Sequence, residues 1–192
     1  MRLVVTPDGV IRKFGNQLAV LGEDAPRAMQ RALARTGDMA RTQVVRALTQ
    51  QTGLPRAVIV RAVRVTRPSF GSLAYIMTAS GGNIRLRHFK ARETRRGVSA
   101  TPFGKRTVFA GTFMKAGWVW GKRVVKPNWN GQVFRRTGGV TGNGMDEFEV
   151  VRSGVYIPRE MAQGATEQAW RDAVDKNLEQ RMRHEIGRLL PR

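Results

Sequence analysis

The sequence predicts an α+β fold: an antiparallel sheet of short strands, flanked by a long N-terminal helix and a long C-terminal helix, with extended basic loops. Three observations carry this expectation. Apolar residues recur at helical spacing near both ends of the 192-residue chain, the spacing shortens toward two in the middle, and glycine punctuates that middle densely. Length and a hydrophobic content of 41% suit one domain over residues 1–192, divided into a 24–52 helix, a 55–157 basic strand and loop region, and a 160–190 helix.

The first helix is expected over residues 24 to 52. Asp24 can cap the free amides of the first turn, and Pro26 sits where its missing N–H costs nothing. Met29, Ala32, Leu33, Thr36, Ala40, Val44, Ala47 and Leu48 then follow at three- and four-residue steps, while Arg27, Arg31, Arg35, Arg41 and Arg46 fall mainly off that stripe. Gly53 and Pro55 supply the stop. Gly37 inside the run disfavours the helix by about 1 kcal/mol relative to alanine, too little to overturn it.

Residues 55–62 are ambiguous, because Pro55 could equally start a short helix. Period-two patterning then marks short strands at Val63–Val65, Leu73–Met77, Ile84–Arg87, Thr107–Phe109, Trp118–Trp120, Val133–Phe134 and Val155–Ile157. Ser80-Gly81-Gly82-Asn83 is expected to join two of them as a hairpin. Residues 90–106 and 138–146 carry little apolar material, and much of both is expected to be extended loop, Gly138–Gly144 being the most glycine-rich stretch. Near the C-terminus Trp170, Val174, Leu178, Met182, Ile186 and Leu189 step by three and four along one helix face, and Pro191 ends the run. This stripe is a candidate partner interface, or else part of the chain's own core.

Charge is distributed very unevenly. The 107 residues between Asp38 and Asp146 hold 20 Lys and Arg against a single acid, Glu93, so this window alone carries +19 of the total +20. Such segregation points to a polyanion, with DNA or RNA foremost. Arg85, Arg87, Lys90, Arg92, Arg95, Arg96, Lys105 and Arg106 form one basic set, and Lys122, Arg123, Lys126, Arg135 and Arg136 a second. Arginine outnumbers lysine among them, which favours bidentate phosphate contacts. Phe89, Phe103, Phe109, Trp118, Trp120 and Trp129 are interleaved with these charges and either stack on bases or pack in a core. No helix-turn-helix, zinc finger or RNA-binding signature accompanies them, so contact to the backbone without sequence preference is expected.

The residue types needed for catalysis are scarce. His88 and His184 are the only histidines, and His184-Glu185 lacks the second histidine of a zinc pair. Glu93 by itself cannot form a two-carboxylate acid/base pair. Asp146, Glu147 and Glu149 read more simply as a solvated loop, or as salt-bridge partners of a basic neighbour, than as a cation site. Gly97 and Gly104-Lys105-Arg106 miss the spacing and the hydroxyl of a phosphate-binding P-loop. With no cysteine there is neither disulfide nor thiolate site. The expectation is a non-enzymatic protein without cofactor or metal. No apolar run approaches the roughly 20 residues of a membrane span, and Met1–Val5 lacks the longer apolar stretch of a signal peptide.

Leu33-Ala34-Arg35-Thr36-Gly37-Asp38-Met39-Ala40-Arg41 resembles the N-terminal helix of the minor tail protein Z family of tailed bacteriophages and prophages. Gly82–Leu86, Phe89–Arg92, Phe103–Lys105 and Arg152–Pro158 are similar to stretches of the same family, and the likeness runs from about residue 25 onward. These motifs are structural, not catalytic; the first twenty residues and Gly138–Gly144 fall outside them. The resemblance implies a virion protein that completes a long tail at its head-proximal end, in the neck, after assembly in the host cytoplasm. Implied partners are the tail terminator, tail tube and tape measure and the end of the genome DNA, in a homo-oligomeric ring, a hexamer. Under it the basic surface meets either DNA or an acidic tail protein. A cellular nucleic-acid-binding protein of the ribosome-associated type would show similar composition and remains the alternative.

Overall fold

Three- and four-residue apolar steps need a helix to bring them to one side, and both stripes do fold this way in the computed structural model, which describes residues 1–190. The α+β class is observed, with small antiparallel sheets of short strands between long helices. Pro191, expected to end the last helix, lies outside the described residues. The sequence suggests one domain over residues 1–192; the backbone groups into two compact units.

The first unit comprises residues 1–48, 56–80 and those from 158 onward. Its elements are β1 (Arg2–Val5), α1 (Asp8–Leu21), α2 (Ala25–Thr52, whose last turn belongs to the second unit), α3 (Arg56–Ala62), β2 (Val63–Thr66), β3 (Tyr75–Ala79), α4 (Ile157–Met161) and α5 (Gly164–Leu189). A three-stranded antiparallel sheet has the order β1-β3-β2, so the N-terminal strand pairs with the central one, Leu3 opposite Met77. Tyr75, Met77 and Ala79 alternate into the core along β3. Val10, Phe14 and Leu18 of α1 pack with Met29 and Ala32 of α2 and with Met182 and Ile186 of α5. Lys13 Nζ, 2.6 Å from Glu179 Oε2, pins the outer edge of the α1–α5 contact.

Gly37 has a packing reason that its helix propensity conceals. A Cβ at this position would overlap the ring of Tyr75, whose side chain is fully buried. The glycine therefore lets β3 approach α2 at backbone distance. One residue on, Asp38 Oδ1 accepts the Tyr75 hydroxyl at 3.0 Å and Oδ2 accepts Arg67 Nη2 at 2.9 Å. Burial, then the Asp38 hydrogen bond and charge, push the Tyr75 pKa well above the usual phenol range.

The second unit comprises residues 49–55 and 81–157. Its strands are β4 (Arg92–Thr94), β5 (Gly97–Ala100), β6 (Thr107–Ala110), β7 (Thr112–Phe113), β8 (Gly117–Val119), β9 (Lys122–Val124), β10 (Phe134–Val140) and β11 (Asp146–Val150). They form the sheets β4-β5-β6 and β11-β10-β7 and the hairpin β8-β9, all antiparallel. Trp129, Phe113, Phe134 and Phe148 make an aromatic cluster, the closest ring centroids 4.8 Å apart between Trp129 and Phe134.

Several local expectations are overturned. Residues 84–87 are not a strand: only Arg85 bridges, to Arg152, and the chain then winds into a 3-10 turn that buries Leu86 and Phe89. Ser80–Asn83 makes no hairpin, because Ile84 pairs with the distant Ser153 and Val155 through backbone bonds of 2.8 and 2.9 Å. Ile157 opens α4, with Pro158 in the first turn, so 155–157 is not a strand either. The two expected loops are strand in part. Residues 90–106 contain β4 and β5, and β5 is buried throughout because Gly97, Ser99 and Ala100 are small enough to lie under its neighbours. Residues 138–146 complete the β10–β11 hairpin around a tight turn at Thr141–Gly144. Residues 55–62 resolve as helix α3, and the unread N-terminus as β1 and α1, whose Val10, Phe14 and Leu18 do step by four.

Candidate nucleic-acid interface

All thirteen basic candidates fall in the second unit. Arg85, Lys90, Arg92, Arg95, Arg96, Lys105, Arg106, Lys122, Arg123, Lys126, Arg135 and Arg136 are exposed, and Arg87 is half-buried. Hairpin geometry explains much of this. Thr94 pairs with Gly97, which leaves Arg95 and Arg96 as the two turn residues at the β4–β5 tip. Gly97 is required there, since its φ is +137° and a Cβ would run into the Phe109 carbonyl oxygen. Arg135 and Arg136 lie on β10 at exposed positions. Lys90 holds a left-handed backbone, with φ of 52°.

Little of this charge is neutralised from within. Arg123 lies 3.2 Å from Glu93 and Arg136 lies 3.0 Å from Asp146; among the described residues the other eleven candidates have no ion pair. Several are instead steadied by neutral acceptors. With its amide set to satisfy its neighbours, buried Gln132 accepts from Arg85 Nη1 at 2.7 Å and Arg87 Nη1 at 3.2 Å. Arg87 Nη1 also donates to the Asn130 carbonyl at 3.0 Å, and Arg106 Nη1 to Ser99 Oγ at 3.0 Å. Neutral acceptors fix a guanidinium's direction while leaving its charge for an anion. Burial, followed by Arg87 and Arg85, lowers the His88 pKa, and Arg87 Nε donates to its Nε2 at 3.3 Å, so the ring accepts as neutral imidazole.

Glu93 has a structural task. Its Oε2 accepts the backbone N–H of Met114 at 2.6 Å and of Lys115 at 2.7 Å, while Oε1 faces Arg123. Arg123 Nη2 in turn donates to the Lys115 carbonyl at 2.7 Å. One carboxylate thus ties β4 to β9 and to the segment between β7 and β8. The sequence offered no sign of this beyond the oddity of one acid in a basic window. Gln132 gave no signal at all.

The aromatic candidates divide. Phe89 is fully buried and Trp129 belongs to the aromatic cluster, with Lys126 Nζ 5.1 Å from its ring centre. Phe109 is half-buried, whereas Phe103, Trp118 and Trp120 are exposed. The C-terminal stripe turns inward within the first unit. Trp170, Met182 and Ile186 are buried, with Trp170 6.5 Å from the Tyr75 ring, and Val174, Leu178 and Leu189 are half-buried. The stripe therefore serves mainly the chain's own core, not an open partner surface.

The first unit carries a basic feature that sequence spacing did not single out. Arg41, Arg56 and Arg67 line a concavity of about 230 Å³ together with Asp38. Among the described residues, no group of three or more His, Asp or Glu could hold a metal ion, and no helix is long and apolar enough to cross a membrane. The chain matches no family model, and no curated protein or solved structure matches it either.

Proposed function

We propose that this protein is a non-enzymatic structural subunit that holds nucleic acid by its phosphates through the exposed arginines and lysines of the 81–157 unit. One observation carries the reading. Among the described residues, eleven of the thirteen candidate cations in that unit lack an ion-pair partner, and several are held in direction by neutral acceptors. Cations left unpaired at close quarters repel one another, and a polyanion relieves that repulsion while releasing its own counter-ions. The cations sit on strands, hairpin tips and the segments between them, and none lies on an α-helix that could enter a groove, which favours binding independent of sequence.

The likeness of residues 25 onward to the minor tail protein Z family extends the proposal to a setting. There the subunit is a tail completion protein at the head-proximal end of a phage tail, where a basic lining would meet the packaged DNA end. The tape measure or tail tube is the second reading for the same surface, because an acidic protein face would equally satisfy unpaired arginines.

The test is binding to duplex DNA across a salt series. Six to ten phosphates neutralised predict a drop of about 10³–10⁵ in affinity between 50 and 200 mM salt, with little dependence on sequence. Replacing Arg92, Arg95 and Arg96 together with alanine flattens the log–log slope by about one for each phosphate no longer neutralised. Absence of binding at low salt, or tight binding indifferent to salt, overturns the reading.

A further inference from the structure

The β8–β9 hairpin exposes aromatic surface in a way that its own folding does not call for. Val119 pairs with Lys122, so Trp120 and Gly121 are the two turn residues, with φ of 51° and 71°. Positive φ at both positions is the twist-matched turn of a two-residue hairpin, and its first position favours asparagine, aspartate or glycine. A bulky side chain in the left-handed region is strained there. Trp120 nevertheless occupies it, and its side chain is covered by nothing: the residue is 96% exposed, and Trp118 is 71% exposed. Local folding therefore gives no reason for this choice, and strain at an exposed aromatic is an observation that asks for a ligand.

What surrounds the tip indicates the ligand's chemistry. Trp118 lies opposite Arg123 and Val119 opposite Lys122 in the hairpin register, so Trp118 and Arg123 share one face of the hairpin and Val119 and Lys122 the other. Cross-strand neighbours are about 5 Å apart, close enough for one small unit to touch both. Arg123 is committed to Glu93 and to the Lys115 carbonyl, but among the described residues the Lys122 ammonium, directly after the Trp120–Gly121 turn, has no ion pair or side-chain hydrogen bond. Exposed indole rings at the same hairpin tip as an unpaired ammonium suit a ligand that alternates flat rings with anionic links, which is single-stranded nucleic acid. Bases in an intact duplex keep their faces stacked on one another and cannot offer them.

We propose that Trp118 and Trp120 form a stacking site for unpaired nucleobases, with Lys122 as the adjoining phosphate contact. This rests on the reading of the unit as a phosphate-binding surface and narrows it. The unit would hold duplex through charge alone and would hold unpaired ends or single strands more tightly through the hairpin tip.

The experiment compares three probes on the full-length chain at one fixed low salt concentration: an oligothymidylate, an abasic oligonucleotide of equal length and charge, and a duplex of the same length. Wild type is expected to bind oligothymidylate at least about tenfold more tightly than the abasic strand, with quenching of tryptophan fluorescence by the former only. Trp118→Ala with Trp120→Ala is expected to remove that preference while keeping abasic and duplex binding within about twofold. Trp120→Asn guards against a folding artefact, because asparagine suits the turn: it should raise Tm and still weaken oligothymidylate binding, and Trp120→Phe should restore part of it. Equal affinity of wild type for oligothymidylate and the abasic strand overturns the stacking site alone. Failure of all three probes to bind overturns the phosphate reading beneath it. A blue-shifted emission on phosphatidylserine vesicles, without any response to oligothymidylate, would assign the tip to a lipid surface and also defeat the proposal.

Discussion

Gly37 shows how one residue can mislead a propensity argument. Alanine here would gain about 1 kcal/mol of helix propensity, yet its methyl would overlap the buried Tyr75 ring, and overpacking of this kind costs about 1–3 kcal/mol. Because the ring is tethered by its hydroxyl to Asp38, it has little freedom to retreat, and Gly37→Ala is expected to lower net stability by about 1–2 kcal/mol. Urea denaturation of the two proteins measures this directly. A raised midpoint would mean the ring moves aside. The glycine itself was visible in the sequence, and so was its conflict with a helical run. Its cause was not visible, since that depends on a residue 38 positions away reaching it through the sheet. Glu93 is a similar case. Its isolation was conspicuous, but its two amide donors come from Met114 and Lys115, about twenty residues further along.

At the scale of elements, the long helices were legible because their signal is redundant. Six to eight positions must agree on one period, and the expected 24–52 helix differs from the observed Ala25–Thr52 by a single residue. Short strands lack this redundancy. The residues of β5, Gly-Val-Ser-Ala, alternate only two apolar side chains, Val98 and Ala100, too short a pattern to mark a strand, which is specified by the partners on either side. That burial reverses the behaviour expected of a polar, glycine-rich loop. Hydrogen exchange on the free protein should show slow amides in Gly97–Ala100 and fast ones in the turn at Thr141–Gly144. Glu93→Ala should then accelerate exchange at Met114, Lys115 and the β8–β9 hairpin, while β10–β11 keeps its rates. Uniformly fast exchange across residues 92–100 would contradict the central, buried position of β5.

For the whole molecule, composition announced the basic character, while the fold holds all thirteen candidate cations in one unit and, among the described residues, leaves eleven without an ion pair. The C-terminal stripe was legible as a helix face and not as a destination, because an apolar face looks alike whether it meets its own chain or another. With Trp170, Met182 and Ile186 buried at home, any ring of subunits has to be built from other surfaces. The proposed tail setting predicts a heterologous ring with three-, six- or twelvefold copy number, as read from a cryo-EM map of the assembled particle. Copy numbers unrelated to these would remove the ring from the proposal and leave the phosphate-binding reading to its own test.

The partnership of α1 with α5 has a consequence for the order in which the chain is made. Lys13 and Glu179, which face each other across it, are 166 residues apart. At about 5–20 residues per second on the ribosome, α1 emerges roughly ten to thirty seconds before the helix that shelters Val10, Phe14 and Leu18. Throughout that interval Met29 and Ala32 of α2 can cover only part of the sticky face, and completing it requires a search across most of the chain. A nascent chain stalled or cut before Met182 would leave the α5 side of that face uncovered, which makes incomplete synthesis a hazard built into this order of elements.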